Sequence, residues 1–220
     1  MTEPHIRVLV VDDHDIVRQG LRALLSGSED IEVVGEAANG IEALHQVESL
    51  SPDVVLMDLV MPEMDGVEAI ERITGEYSNV RILVITTFSR EDLVFPAIKA
   101  GAHGYLLKDS GSSQVEEAIR NVHKGEPSLH PDIARMLMQE VRPEKPQVAA
   151  PDPLTPRELE VLSMLARGRS NQEIAQELFV AEVTVRSHIS RILDKLHLAN
   201  RVQATLYALR EGMVDLDENP

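Results

Sequence analysis

Four apolar runs of this sequence end in groups that can do chemistry together. Val54-Val55-Leu56-Met57 ends in Asp58, Val8-Leu9-Val10-Val11 in Asp12-Asp13, Ile82-Leu83-Val84-Ile85 in Thr86, and Tyr105-Leu106-Leu107 in Lys108. If the runs are parallel strands, these ends converge on one edge of a sheet, where ligands of open α/β folds bind. Phosphoryl transfer to a carboxylate needs an in-line nucleophile, a divalent cation over the phosphoryl oxygens, and fixed donors for the remaining charge. Asp58 is then the nucleophile, Asp12 and Asp13 hold the metal, and hard oxygen ligands favour Mg²⁺. Thr86 offers a hydroxyl to one phosphoryl oxygen and Lys108 a point charge to another. Any one of these residues is ordinary at a strand end; the four ends together carry the reading.

Such a set must be positioned by alternating strands and helices, and residues 6 to about 124 have that pattern. Strands are expected at 6–11, 31–35, 54–57, 81–85 and 104–107. Between them run helical faces: Val17, Gly20, Leu21, Leu24 and Leu25; Ile41, Leu44 and Val47; Val67, Ile70 and Ile73; Val115, Ile119 and Val122. Ser113 and Glu116 have capping-box spacing before the last of these.

Residues 125–153 carry six prolines, at 127, 131, 143, 146, 151 and 153, and read as a linker whose stretch from Pro131 to Val141 can form a short helix. From Leu154 the pattern is purely helical. Thr155-Pro156-Arg157-Glu158 and Ser170-Asn171-Gln172-Glu173 are capping boxes, and a turn at Phe179-Val180-Ala181 precedes a longer helix from Glu182 to His197. Val185, Ile189, Ile192 and Leu196 form its buried stripe, and a fourth helix carries Val202, Leu206 and Leu209. A short helix, a three-residue turn and a longer helix make a helix-turn-helix, whose second helix can enter the major groove of DNA. Opposite the stripe lie Arg186, Ser187, Ser190, Arg191 and Lys195, types that read base edges or neutralise phosphates.

The chain is 220 residues long with net charge −16, which suits two domains. Residues 1–126 hold 10 Lys+Arg against 23 Asp+Glu, and residues 153–210 hold 8 against 6. Only the second half suits a polyanion. With no cysteine, disulfides and thiolate metal sites are excluded. No apolar run approaches a membrane span and no leader pattern opens the chain, so a cytoplasmic protein without membrane attachment is expected.

Residues 6–124 resemble a response-regulator receiver domain, an α/β flavodoxin-like (βα)5 fold. The resemblance implies that a sensor histidine kinase phosphorylates Asp58 with Mg²⁺ held by Asp12, Asp13, Asp58 and the backbone carbonyl of Val60. It also places Thr86 and Tyr105 on the family's switch positions. Residues 154–214 resemble the LuxR-type DNA-binding domain, an all-α four-helix unit, in Leu154-Thr155-Pro156-Arg157-Glu158, Gly168-Arg169-Ser170-Asn171-Gln172-Glu173-Ile174-Ala175 and Thr184-Val185-Arg186-Ser187-His188. That implies base-facing roles for Arg186, Ser187, Ser190 and Arg191. Asn171, Thr184, His188, Lys195 and Arg201 become candidates for the DNA backbone. The whole is similar to NarL/FixJ-type response regulators, and within them to the VraR/LiaR-like subgroup. The domains expected are a receiver at 1–124, the linker at 125–153, the DNA-binding domain at 154–214 and an acidic tail at 215–220. The implied partners are the kinase, double-stranded DNA, a second copy on phosphorylation and RNA polymerase. The protein is expected to be a regulator rather than an enzyme. Family members dimerise through the fourth helix of this domain, for which Ala204 and Ala208 beside Val202 offer a small-residue face.

Three departures bear on mechanism. Asp109 follows Lys108 where many receivers have proline. Val60 and Phe88 are apolar where hydrolytic water can be positioned, so slow loss of the phosphoryl group is expected. Ala181 stands where the family caps the recognition helix with Ser or Thr. Two rival readings remain. In a haloacid-dehalogenase-type phosphatase, Asp13 of Asp13-His14-Asp15-Ile16-Val17 would be the nucleophile; in a phosphorylation-independent DNA-binding regulator, the receiver would be only a binding module.

Overall fold

The computed structural model describes residues 5–87, 91–140 and 154–213, so the expectations for Phe88, for the prolines between 143 and 153 and for the acidic tail lie outside the described residues. The chain forms two compact units, dividing after Ala134.

In the first unit, runs of Val, Ile and Leu without polar alternation become strands buried on both faces, as a parallel sheet covered by helices requires. Strand β1 (Ile6–Val11) leads to α1 (Asp15–Leu25), β2 (Ile31–Ala37) to α2 (Gly40–Leu50), and β3 (Val54–Met57) to α3 (Gly66–Glu76). Next come β4 (Arg81–Thr86), α4 (Glu91–Lys99), β5 (Gly104–Leu107), α5 (Ser112–His123) and β6 (Ser128–Leu129), and the division between the units falls within α6 (Pro131–Glu140). The order is β2-β1-β3-β4-β5-β6 and every pairing is parallel. The first five strands have the flavodoxin-like order, whose direction reverses between β1 and β3 and opens a crevice at their carboxyl ends. Register pairs Val11 with Met57 and Thr86 with Leu107. The residues after Val11 and Met57 are Asp12 and Asp58, which therefore leave the sheet side by side. One face of the sheet, with Val8, Val10, Leu56, Leu83 and Ile85, packs on Leu21 and Leu25 of α1 and on Val115, Ile119 and Val122 of α5.

Local differences from the sequence reading have physical causes. Helix α2 buries Gly40, Ala43 and Val47 while Ile41 faces out, because small residues fit where α2 meets the Met64 loop. Helix α5 starts at Ser112 on an N-cap Gly111, whose N–H donates to the Gln114 side chain, so Ser113 is already helical and Glu116 pairs with Arg120 instead. Helix α4 carries Pro96, which hid it from a pattern search. Strand β6, in the stretch read as linker, has only two residues and follows Pro127.

The second unit contains α7 (Pro156–Ala166), α8 (Asn171–Glu177), α9 (Glu182–Leu196) and α10 (Arg201–Arg210). Both capping boxes form: Thr155 with Glu158 and Ser170 with Glu173 exchange side-chain and backbone bonds. Leu162, Leu165, Ile174, Val185, Ile189 and Ile192 make the core. Ala204 and Ala208 are fully buried in that core, and Val202 is buried as well. The small-residue face expected for dimerisation is therefore internal, where small side chains let α10 lie close to α7. Among the described residues, no helix is long and apolar enough to cross a membrane.

Candidate functional site

At the carboxyl edge of the sheet, two buried carboxylates share one ammonium. Lys108 Nζ lies 2.9 Å from Asp58 Oδ2 and 2.5 Å from Asp12 Oδ2. The other Asp58 oxygen accepts the Leu59 N–H at 2.8 Å. The Lys108 N–H donates to the Thr86 carbonyl at 2.7 Å, which anchors the base of the lysine beside the buried Thr86. Burial raises the Asp58 carboxyl above the usual carboxylate range, and Lys108 opposes that rise.

Metal-binding capacity rests on the carboxylates of the acidic turn. Asp12 Oδ2 and Asp13 Oδ1 are buried and have no aligned hydrogen-bond donor; the Lys108 ammonium lies beside the first and His14 Nδ1 lies 2.7 Å from the second. Ligand atoms of Asp12, Asp13 and His14 all lie within 4.8 Å of one another. Carboxylate oxygens so arranged fit a hard divalent cation such as Mg²⁺. Val60, two residues past Asp58, is exposed. Tyr105 is fully buried with its hydroxyl unpartnered, and burial, then the Asp58 and Asp92 charges, push its pKa up to about 12.

Two contributors escaped the sequence reading. The Arg18 guanidinium donates to the Asp12 carbonyl at 2.7 Å and so braces the acidic turn from α1. Gly66 opens α3 against the Asp58 loop: a β-carbon there would lie 2.1 Å from the Asp58 carbonyl oxygen. Spacing to Asp58 was the available signal for Gly66; nothing marked Arg18. No described peptide bond is cis, that after Lys108 included.

On α9, Arg186, Ser187, Ser190 and Arg191 are exposed, as is Val183 in the first turn. Arg186 is held by Glu182 one turn earlier at 2.9 Å, and Ala181 makes no side-chain cap. Thr184 and His188 are half-buried. Lys195 donates to Glu158 Oε2 at 2.9 Å, tying α9 to the α7 capping box. Asn171 and Arg201 are not on the surface: they are 3% and 5% exposed, Arg201 donates to Asn171 Oδ1 at 2.6 Å, and it also bonds the Arg169 carbonyl.

Residues 8–120 match the family described as response regulator receiver domain, and residues 152–208 match bacterial regulatory proteins of the luxR family. The chain belongs to the response regulators. It is 46% identical to the transcriptional regulatory protein LiaR of Bacillus subtilis over 96% of this chain and all of that protein. It is 39% identical to the response regulator VraR of Staphylococcus aureus over 95% of this chain and 99% of that one. A crystal structure of the response regulator ChrA, of a heme-sensing two-component system, aligns with TM-score 0.53 and 36% identity over 96% of this chain and 99% of that one. This response regulator therefore joins a receiver to a LuxR-type DNA-binding domain and is homologous to the LiaR and VraR transcriptional regulators. Its receiver implies a histidine kinase as partner, and its helical unit implies DNA. The phosphatase alternative has no support in the sheet, because β6, the one strand after β5 among the described residues, ends at Leu129, is followed by His130-Pro131 and supplies no acidic pair.

Proposed function

We propose that this response regulator accepts a phosphoryl group on Asp58 from a sensor histidine kinase, and that the modification controls dimerisation and sequence-specific DNA binding. One observation carries the reading: Lys108 bridges the Asp12 and Asp58 carboxylates at the strand ends. An Asp58 carboxylate oxygen attacks the phosphorus of the kinase phosphohistidine, the phosphorus–nitrogen bond breaks, and the imidazole leaves. Lys108 then exchanges Asp58 for a phosphoryl oxygen, and the Thr86 hydroxyl takes another. Asp12, Asp13, Asp58 and the Val60 carbonyl would hold Mg²⁺, which when bound neutralises phosphoryl charge.

Thr86 and Tyr105 carry the switch, shifting a pre-existing two-state equilibrium. In the helical unit, Arg186, Ser187, Ser190 and Arg191 face bases, while Thr184, His188 and Lys195 approach phosphates. The buried Asn171–Arg201 pair braces α8 against α10 from within instead of touching DNA. The output is regulated transcription in the cytoplasm through contact with RNA polymerase.

Intact mass after incubation with acetyl phosphate and Mg²⁺ tests the chemistry. A single phosphoryl adduct is expected in the wild type and none in Asp58→Asn or without metal. Asp58→Asn is expected to keep or raise thermal stability, since it removes a desolvated charge, so its failure cannot be blamed on unfolding. An adduct that persists in Asp58→Asn overturns the reading. With apolar Val60 two residues past the acceptor, the adduct is expected to last minutes or longer; decay within seconds contradicts this.

A further inference from the structure

Helix α9 turns about 100° per residue, so positions 183, 187, 190 and 194 fall on one line, opposite the buried Val185, Ile189 and Ile192. Arg186 and Arg191 flank that line on either side. Ser187, Ser190 and Asp194 are polar, as the centre of a solvated face should be. Val183 breaks the pattern: a branched apolar side chain, 69% exposed, in the first turn of the helix. An isopropyl group gains nothing from water, and the core of this unit is completed without Val183.

In a helix-turn-helix the first turn of the recognition helix reaches the base edges. The one apolar group that the major groove offers there is the C5 methyl of thymine. We propose that Val183 packs on a thymine methyl at a fixed position in each operator half-site, beside the base pairs that Arg186 and Ser187 address. This rests on the DNA-facing reading of α9 and adds a discrimination that its polar residues lack. Arginine favours guanine and serine accepts either donor or acceptor edges, so neither separates thymine from the other pyrimidine by its methyl. Val183 does so by contact area alone and needs no hydrogen bond.

The test uses the full chain, treated with acetyl phosphate and Mg²⁺. Binding sequences are enriched from a random duplex pool, and each thymine of the enriched duplex is then replaced singly by deoxyuridine, which removes only the methyl. The wild type is expected to lose about fourfold in affinity at one thymine per half-site, the worth of one buried methyl group. Val183→Ala is expected to bind the thymine and deoxyuridine duplexes alike at that position while responding as the wild type does at every other. Because Val183 is exposed, the variant keeps its fold, which an unchanged Tm verifies. Equal deoxyuridine losses in wild type and Val183→Ala, or no methyl-sensitive thymine at all, overturn the assignment and leave DNA binding standing. Failure to enrich any sequence overturns both.

Discussion

Asp58 is held in place by its own backbone as firmly as by Lys108. Its N–H donates to the Val11 carbonyl at 2.9 Å, and the Gly66 N–H donates to the Leu59 carbonyl at 3.0 Å, folding the loop back on the acceptor. Gly66 is required by close approach: the atoms a β-carbon would meet, the Asp58 carbonyl oxygen and Leu59 Cα, are main chain and cannot swing away. Gly66→Ala is therefore expected to destabilise by about 3 kcal/mol in urea denaturation, at the upper end of overpacking costs, and to lower the yield of the Asp58 adduct. A variant with wild-type stability and adduct would show that the loop yields freely. At this scale the sequence was legible where chemistry marks a residue by type and place, as for Asp12, Asp58, Thr86 and Lys108. It misled where type suggested surface: Asn171 and Arg201 are polar, yet both are buried and hydrogen-bonded to each other. No spacing rule distinguishes a buried polar pair from two exposed ones.

Elements were legible where large apolar side chains set the period. The five long strands and the α9 stripe came through for that reason, and both capping boxes in the helical unit came from their own residues. Where small residues line the contact, the period turned: α2 buries Gly40 and Ala43, and α10 buries Ala204 and Ala208, positions that carry little hydrophobic signal. The α7 capping box also reaches beyond its helix. Glu158 accepts from the Thr155 N–H and from Lys195 on α9, and Lys195 above all, then the Thr155 amide, holds its carboxyl down to about 2. A carboxyl lowered on folding stabilises fully above its ordinary value of 4.5 and loses that contribution as pH falls toward 2. The helical unit is thus expected to weaken on acidification across that window. Glu158→Gln should flatten the dependence and lower Tm at neutral pH by roughly 4 °C; a parallel pH profile in the variant would place the acid sensitivity elsewhere.

For the whole molecule, charge and symmetry bear on the proposed pairing of two copies. The chain carries −16 overall, and residues 153–210 hold only 8 cationic side chains against 6 acids, so a single helical unit gains little from phosphates. Two recognition helices on one duplex recover affinity through effective concentration, and a two-fold pairing presents the same patch from each copy. With Ala204 and Ala208 committed to the core, the face left on α10 is Gln203, Leu206 and Arg210, with Leu209 at its edge. Both leucines are half-buried and, among the described residues, stand outside the packed core cluster. Leu206→Glu is expected to accept the phosphoryl group on Asp58 normally and to stay monomeric in light scattering where the phosphorylated wild type is expected to dimerise. It should bind a duplex with two half-sites about a hundredfold more weakly while binding a single half-site like the wild type. That separation is what a contact used only between copies must produce: a leucine serving the fold would weaken both duplexes together, and one serving the phosphorylation site would change the adduct first.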